Sequence, residues 1–349
     1  MRKLITLAAG LVLGALALGS CSKPAMTGGA RTEVTFGVLS VEGSQTMQQN
    51  WAPIFADMEK QTGLKINPLY PTSYNALIEG MRFNQVQAAW FSNAPGYEAS
   101  KRAQGEVFAH TTYPDGAEGY QSIIIVRADS KLNNENDLLK CDKSLNFGMG
   151  DPLSTSGTKA PLAYLFYPRH IDPNTCFKQV KSASHSANVE GVIAGVLDAA
   201  TNNSTALVEL NQTPAGRATT AKIKVIWSSP MLPTDVIEYR SDLDPATKEK
   251  LRSFFLSYGQ GTGPEAERER RNLMPLVWGP LKPDDNSHFL AERELEAKVD
   301  LGQADIAHDA AAMAKAQAEL DAVHQEQAAL AARTAPQALA DAPSSATSR

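Results

Sequence analysis

From residue 32 to residue 239, short β-branched and aromatic runs alternate with amphipathic segments, and no other feature limits the fold as much. Residues 32–40 read as a first strand. A helix follows to about Gly63, with Trp51, Ile54, Phe55 and Met58 on one face. Thr46 and Asn50 are both candidate caps, and Pro53 favours the later start, because proline is tolerated in a first turn but not deeper. Strands near 64–69 and 88–91 flank a helix over 74–83. Residues 120–126 (Tyr-Gln-Ser-Ile-Ile-Ile-Val) are the strongest strand of the chain. A second series then begins: strand 145–148, helix 159–167, strand 177–180 and helix 188–197. An apolar run at 222–227 and a return segment at 235–239 close it. The spacing predicts an α/β fold of two hinged lobes, with mixed sheets covered on both faces. The chain is expected to cross near 126–129 and 227–230. Residues 32–126 and 230–285 then form a discontinuous first lobe, and 127–229 form the second.

The first twenty residues stand apart from this pattern. Arg2 and Lys3 precede an apolar stretch, which Leu18-Gly19-Ser20-Cys21 closes with small residues before a cysteine. That order of charge, apolar run and cleavage site is a secretory signal. The last four residues resemble the lipobox of bacterial lipoproteins, which implies a diacylglycerol on Cys21. Residues 21–31 then serve as a tether, and the mature chain is expected in the periplasm, lipid-anchored to a membrane. Two cysteines remain, Cys141 and Cys176. In an oxidising compartment they are a candidate disulfide, and two buried free thiols fit the sequence as well.

A net charge of −5, with no long basic run, argues against a nucleic-acid partner. It also means that an anion site here must work through local donors rather than a positive field. From about residue 286 Glu, Lys, Ala and Leu dominate, and helices are expected to residue 333. Ile306, Met313 and Leu320 recur every seven residues, as do Ala316, Val323 and Leu330. Such a seam suits helix pairing, including a homodimer, and a single helix packed on the body suits it too. Residues 334–349 read as a disordered tail.

Chemistry concentrates in Gly150-Asp151-Pro152-Leu153-Ser154-Thr155-Ser156-Gly157, between a strand and a helix. Three consecutive hydroxyl residues open the helix, where unpaired N–H groups and the positive dipole end already favour an anion. Plain N-capping needs only one of them. Such a nest suits a tetrahedral oxyanion without Lys or Arg.

At this point the chain resembles the phosphonate-binding proteins of ABC uptake systems. The resemblance runs from about residue 36 to residue 240. It is carried by Tyr74-Asn75-Ala76-Leu77-Ile78-Glu79-Gly80-Met81-Arg82-Phe83-Asn84, by Ala89-Trp90-Phe91 and by the 150–157 loop. Ala199-Ala200-Thr201-Asn202-Asn203, Val225-Ile226-Trp227-Ser228-Ser229-Pro230 and Pro233-Thr234-Asp235 complete it. It implies a type II periplasmic-binding-protein fold that closes over a phosphonate, phosphite or phosphate anion and hands it to an ABC permease. It further implies that Ser154, Thr155, Ser156, Tyr74, Tyr120 and His185 hold the head group. Members that bind 2-aminoethylphosphonate hold the ammonium with two carboxylates. One matches Asp235; the other falls on Thr205, which puts the aminoalkyl preference in doubt. Asp235 then either pairs an ammonium or accepts a hydrogen bond from a monoprotonated oxyanion. Glu209, four residues beyond Thr205, reaches back if that segment is helical, and a surface role is expected for it.

Three other readings compete with this one. Ser154 or Ser156 with His185 and Asp235 supplies the residue types of a hydrolytic triad, but the loop is not a Gly-x-Ser-x-Gly elbow. A ligand-loaded sensor subunit for a membrane kinase needs the same fold. A scaffold built on the heptad segment needs no ligand. No Walker loop, His-Glu-x-x-His or Cys/His cluster with metal spacing occurs, so no enzyme activity, cofactor or metal is expected.

Overall fold

The computed structural model describes residues 31–39 and 41–340, with side chains as far as Arg333. The signal segment, Cys21 and residues 341–349 lie outside the described residues. The chain first lays down β1 (Glu33–Val38), β2 (Lys65–Leu69), β3 (Ala88–Phe91) and β4 (Gly105–His110). It crosses through β5 (Gly119–Tyr120) and builds β6 (Ser122–Arg127), β7 (Asn146–Met149), β8 (Gln179–Ser182), β9 (Ala199–Asn203) and β10 (Ile223–Ser228). It then returns through β11 (Leu232–Pro233) to β12 (Val236–Arg240) and β13 (Lys282–Pro283). Two lobes result. One holds a mixed sheet ordered β13-β4-β12-β3-β1-β2; the other holds β10-β6-β9-β7-β8. β5 and β11 pair antiparallel between them, with Tyr120 opposite Leu232.

The crossing therefore lies earlier on the way out than the sequence suggested, and β6 belongs wholly to the second lobe. The reason is burial on both faces. Ile124 and Val126 face a cluster with Phe147, Phe166 and Phe177, while Ile123 and Ile125 face Val189, Val192 and Leu197. A strand with apolar residues on both sides makes a central strand, not a connector. β6 duly pairs with β9 and β10.

The first helix also starts early. It spans Ser44–Thr62, with Pro53 in its interior rather than in its first turn. Proline there removes one helical hydrogen bond. Packing offsets the loss: Met47, Trp51, Ile54, Phe55 and Met58 are all buried, and Trp51 stacks on Phe55 and meets Trp278 edge-on. In the second lobe Cys141 and Cys176 are bridged.

The C-terminal extension is a hairpin of helices Leu290–Ile306 and Ala310–Ala340. Asp309 caps the second, accepting from the Ala311 and Ala312 amides. The heptad seam is thus broken between Ile306 and Met313. Its buried members Ala316 and Val323 lie on the helix that packs on Leu290–Ile306, so the seam's partner is this chain's own helix. Arg293 reaches across to Glu319 at 2.9 Å and to Glu326 at 2.6 Å. The expected tail is helical as far as Ala340, in keeping with its many alanines. Leu295 and Val299 pack on Tyr120 and Leu232, so the first helix of the hairpin sits behind the crossing ribbon.

Candidate functional site

The 150–157 loop folds back on itself. The Gly150 amide donates to the Gly157 carbonyl at 2.9 Å, and a Cβ on Gly150 would stand 2.7 Å from the Gly157 Cα. Glycine is required for that approach. The following helix opens with a wide turn in which the Ala160 amide bonds the Thr155 carbonyl. Ser154 caps it, its Oγ accepting from the Gly157 amide at 2.9 Å. Ser156 is held from behind, where Ser122 Oγ donates to its carbonyl at 2.6 Å.

Ser154 and Ser156 face a cavity of about 60 Å³ between the lobes, and Tyr74, Tyr120 and His185 join them on its wall. That is room for a few water-sized groups. Tyr74 opens the helix Tyr74–Arg82 and its phenol hydrogen-bonds Ser154; Tyr120, on the crossing strand, does the same with Ser156. Burial holds both phenols far above their ordinary range, so both stay protonated donors. His185 Nε2 stands 3.5 Å from Ser156 Oγ. Burial drops this imidazole to about 4, and its Nδ1 finds no partner among the described residues. It is a neutral ring with unspent hydrogen-bonding capacity.

Thr155 is different. Its hydroxyl accepts from the Ala94 amide of the first lobe at 2.8 Å, and the residue does not line the cavity. Consecutive residues of a helix point about 100° apart, so three in a row cannot face one spot. Thr155 joins the lobes instead of touching the space between them.

Carboxyls line the cavity as well. Asp235 is partly buried and accepts from Trp90 Nε1 at 3.1 Å. Burial pushes its carboxyl up to about 7, against the pull of that hydrogen bond. Thr205 lines the same cavity and bonds the Tyr113 hydroxyl across the cleft. Glu209, expected on the surface, turns into the cavity one helical turn beyond Thr205, on the helix Ser204–Asn211. Burial raises it to about 8, with Glu42 and Asp235 adding repulsion. Glu42, from the loop after β1, lines the cavity as well. It is raised to about 7 by burial, although it hydrogen-bonds Ser186 of the other lobe. The indoles of Trp90 and Trp278 and the Val277 side chain complete the wall. Val277 is β-branched yet held left-handed at φ 57°, the kind of backbone strain that clusters at ligand clamps.

Sequence reasoning missed Glu42, Trp90, Tyr113, Glu209 and Trp278. For Glu209 the signal was present in the four-residue spacing from Thr205; for the rest only the fold brings them in. The cavity is lined by hydroxyl donors, carboxyls and a single imidazole. Such a set suits a small ligand with an anionic and a cationic pole, and it has too few convergent ligands for a metal.

The family model for ABC transporter, phosphonate, periplasmic substrate-binding protein matches residues 36–289. The chain is 38% identical over 278 residues to the phosphonates-binding periplasmic protein of Escherichia coli, covering 80% of each chain. It is 26% identical over 264 residues to the phosphate-import protein PhnD of Mycolicibacterium smegmatis, covering 72% of this chain and 81% of that one. Among solved structures, the binding protein component of an ABC phosphonate transporter from Pseudomonas aeruginosa superimposes with a TM-score of 0.78 at 35% identity. That match covers 88% of this chain and 99% of the other. A Prochlorococcus marinus protein in complex with methylphosphonate shares the fold, with a TM-score of 0.65 at 19% identity over 77% of this chain and 98% of the other.

Proposed function

The chain belongs to the family of periplasmic substrate-binding proteins of phosphonate ABC transporters, and from that premise we propose that it captures a small phosphonate bearing a cationic substituent. It is a transport component and not an enzyme. The head group sits against Ser154, Ser156, Tyr74, Tyr120 and His185, and the substituent points at Asp235 and Glu209. The observation that carries this reading is the lining of the cavity, where neutral donors and carboxyls raised by burial face one space.

Each hydrogen bond to the charged head group contributes roughly 1.5–3 kcal/mol, because the donors are already desolvated and aimed. Asp235 and Glu209 pull in the opposite direction. With no cation beside them, burial keeps them largely protonated near neutral pH. An ammonium group supplies the missing charge, so a ligand carrying one ionises them as it binds. First-lobe groups (Tyr74, Trp90, Asp235) and second-lobe groups (Ser154, Ser156, His185, Glu209) then grip one molecule, which rewards closure of the lobes.

We further infer that Cys21 carries the lipid anchor and that the loaded lobes present the ligand to a membrane permease. Cys21→Ser should abolish incorporation of radiolabelled palmitate. The ligand is tested by calorimetric titration of the mature protein with 2-aminoethylphosphonate, methylphosphonate, phosphite and phosphate. The amino compound should bind at least about tenfold tighter than methylphosphonate, the value of one modest charge-assisted contact. Equal affinities would remove the cationic substituent and leave the head group. Failure of every phosphonate to bind would overturn both.

A further inference from the structure

Beside the cavity-lining residues Thr111 and Thr234, His110 converges with Asp284 and His288, which are four residues apart. His110 ends β4, Asp284 follows β13, and His288 lies in the short turn Asn286–Phe289 that leads into the C-terminal hairpin. Both rings aim Nδ1 at one atom, Asp284 Oδ2, at 2.6 Å from His110 and 2.7 Å from His288. The remaining ring nitrogens are also engaged. His110 Nε2 meets the Glu118 carboxylate at 3.1 Å, and His288 Nε2 meets the Thr234 carbonyl at 2.9 Å.

Carbonyl and carboxylate oxygens only accept, so every nitrogen of both rings faces an acceptor, while a neutral ring has one N–H. With the proton on Nε2 the two Nδ1 lone pairs and Asp284 put three acceptors around one point; with it on Nδ1 the Nε2 lone pairs face Glu118 and Thr234. Positive charge has to sit in the cluster, either as a second proton on each ring or as one cation shared by His110, Asp284 and His288. The rings are stacked, with centroids 5.5 Å apart and planes 28° apart, and Lys282 already sits on Glu118. Two imidazolium rings would set like charges face to face beside that lysine. One divalent ion satisfies every lone pair at once.

We propose that His110, Asp284 and His288 form a binding site for a divalent transition metal, with Zn²⁺ the best fit to two imidazoles and a carboxylate. A carboxylate and a carbonyl on the distal nitrogens are the outer partners that orient metal-binding histidines. The ligand atoms all lie within 4.8 Å of one another. Tetrahedral bonds of about 2.0–2.2 Å require N···O separations near 3.3 Å, which small side-chain rotations supply. The imidazoles are sheltered, at 10% and 8% exposure, while Asp284 at 20% leaves a side open for entry and for a fourth, water ligand. The bound ion would tie β4 to the start of the C-terminal hairpin. Through Glu118 and Thr234 it would also brace the residues beside Tyr120 and Asp235.

The test uses tag-free, chelator-treated full-length mature protein titrated with Zn²⁺ alone in phosphate-free buffer, and with Co²⁺ as a spectroscopic substitute. One Zn²⁺ should bind per chain, and Co²⁺ should develop the visible bands of a four- or five-coordinate site. Asp284→Asn and His288→Gln should each weaken binding at least about a hundredfold, since loss of even an outer partner costs 10–100-fold. If one variant does not fold, the other carries the comparison, and X-ray absorption of the wild-type zinc complex should show two imidazoles with oxygen ligands. Absence of stoichiometric binding would overturn the proposal and leave protons as the shared charge. Wild-type affinity in a folded variant, or a spectrum without two imidazoles, would overturn it equally.

Discussion

The cavity lining holds two sets of groups, four hydroxyls with a neutral imidazole and three carboxyl groups. The donor set is internally satisfied except at His185, whose Nδ1 has no partner among the described residues. Ser154 caps its helix, Tyr74 and Tyr120 bond the two serines, and Ser156 is braced by Ser122. The carboxyl set is not, because Asp235, Glu209 and Glu42 are raised to about 7, 8 and 7 by burial. One set is therefore preorganised and costs the empty protein little. The other holds a buried charge deficit that only a cation relieves. In the proposed function the head group sets whether a ligand binds, and the carboxyls set which one.

The sharpest way to break that division is Asp235→Asn. It should lower affinity for 2-aminoethylphosphonate by on the order of a hundredfold, about 3 kcal/mol, while methylphosphonate changes by less than about threefold. Ser156→Ala should weaken both ligands alike, by about tenfold or somewhat more, because it removes one hydrogen bond from the shared head group. Titration calorimetry of both ligands on both variants checks the pair. A loss shared equally by the two ligands in Asp235→Asn would erase the distinction between the sets.

The pH dependence sharpens it further. Pairing with an ammonium needs ionised carboxylates, so binding releases protons. Affinity for the amino compound should rise between pH 6 and 8, by up to about tenfold per unit for each proton released, while methylphosphonate shows no such rise. The same groups act on stability in the opposite sense. Their folded values lie above the unfolded ones, so their contribution is whole below about pH 4 and is lost as pH rises through 7 to 8. The empty protein should therefore lose more Tm than the loaded one over that range. The smallest expected effect follows: at pH 8 Asp235→Asn should stabilise the empty protein by about 1 kcal/mol in denaturant unfolding.

The two sets also differ in how far the sequence revealed them. Ser154 and Ser156 lie in a hydroxyl run that opens a helix, so their reading is a local matter, whereas Tyr74, Tyr120 and His185 came only through the family resemblance. Thr155 shows the limit of local reading, because three adjacent hydroxyls look equivalent until helical rotation turns the middle one to Ala94. Asp235 was legible through resemblance. Glu209 was signalled only by its four-residue spacing from Thr205 and Glu42 not at all, since they enter from a helix of one lobe and a loop of the other. Two lobes followed from alternation alone. Their boundary did not, because a run such as Ile123-Ile124-Ile125-Val126 fits a connector's edge or a sheet's centre until its partners β9 and β10 are known. His110 and Asp284 are 174 residues apart, and no spacing pattern could have joined them.

The orientation of a bound ligand tests the central claim most directly. A crystal structure of the complex with 2-aminoethylphosphonate should place phosphorus among Ser154, Ser156, Tyr74, Tyr120 and His185. The nitrogen should lie within hydrogen-bond reach of Asp235, about 3 Å, with Glu209 beside it. A reversed ligand, or a nitrogen directed into solvent with Asp235 still bonded only to Trp90, would contradict the account.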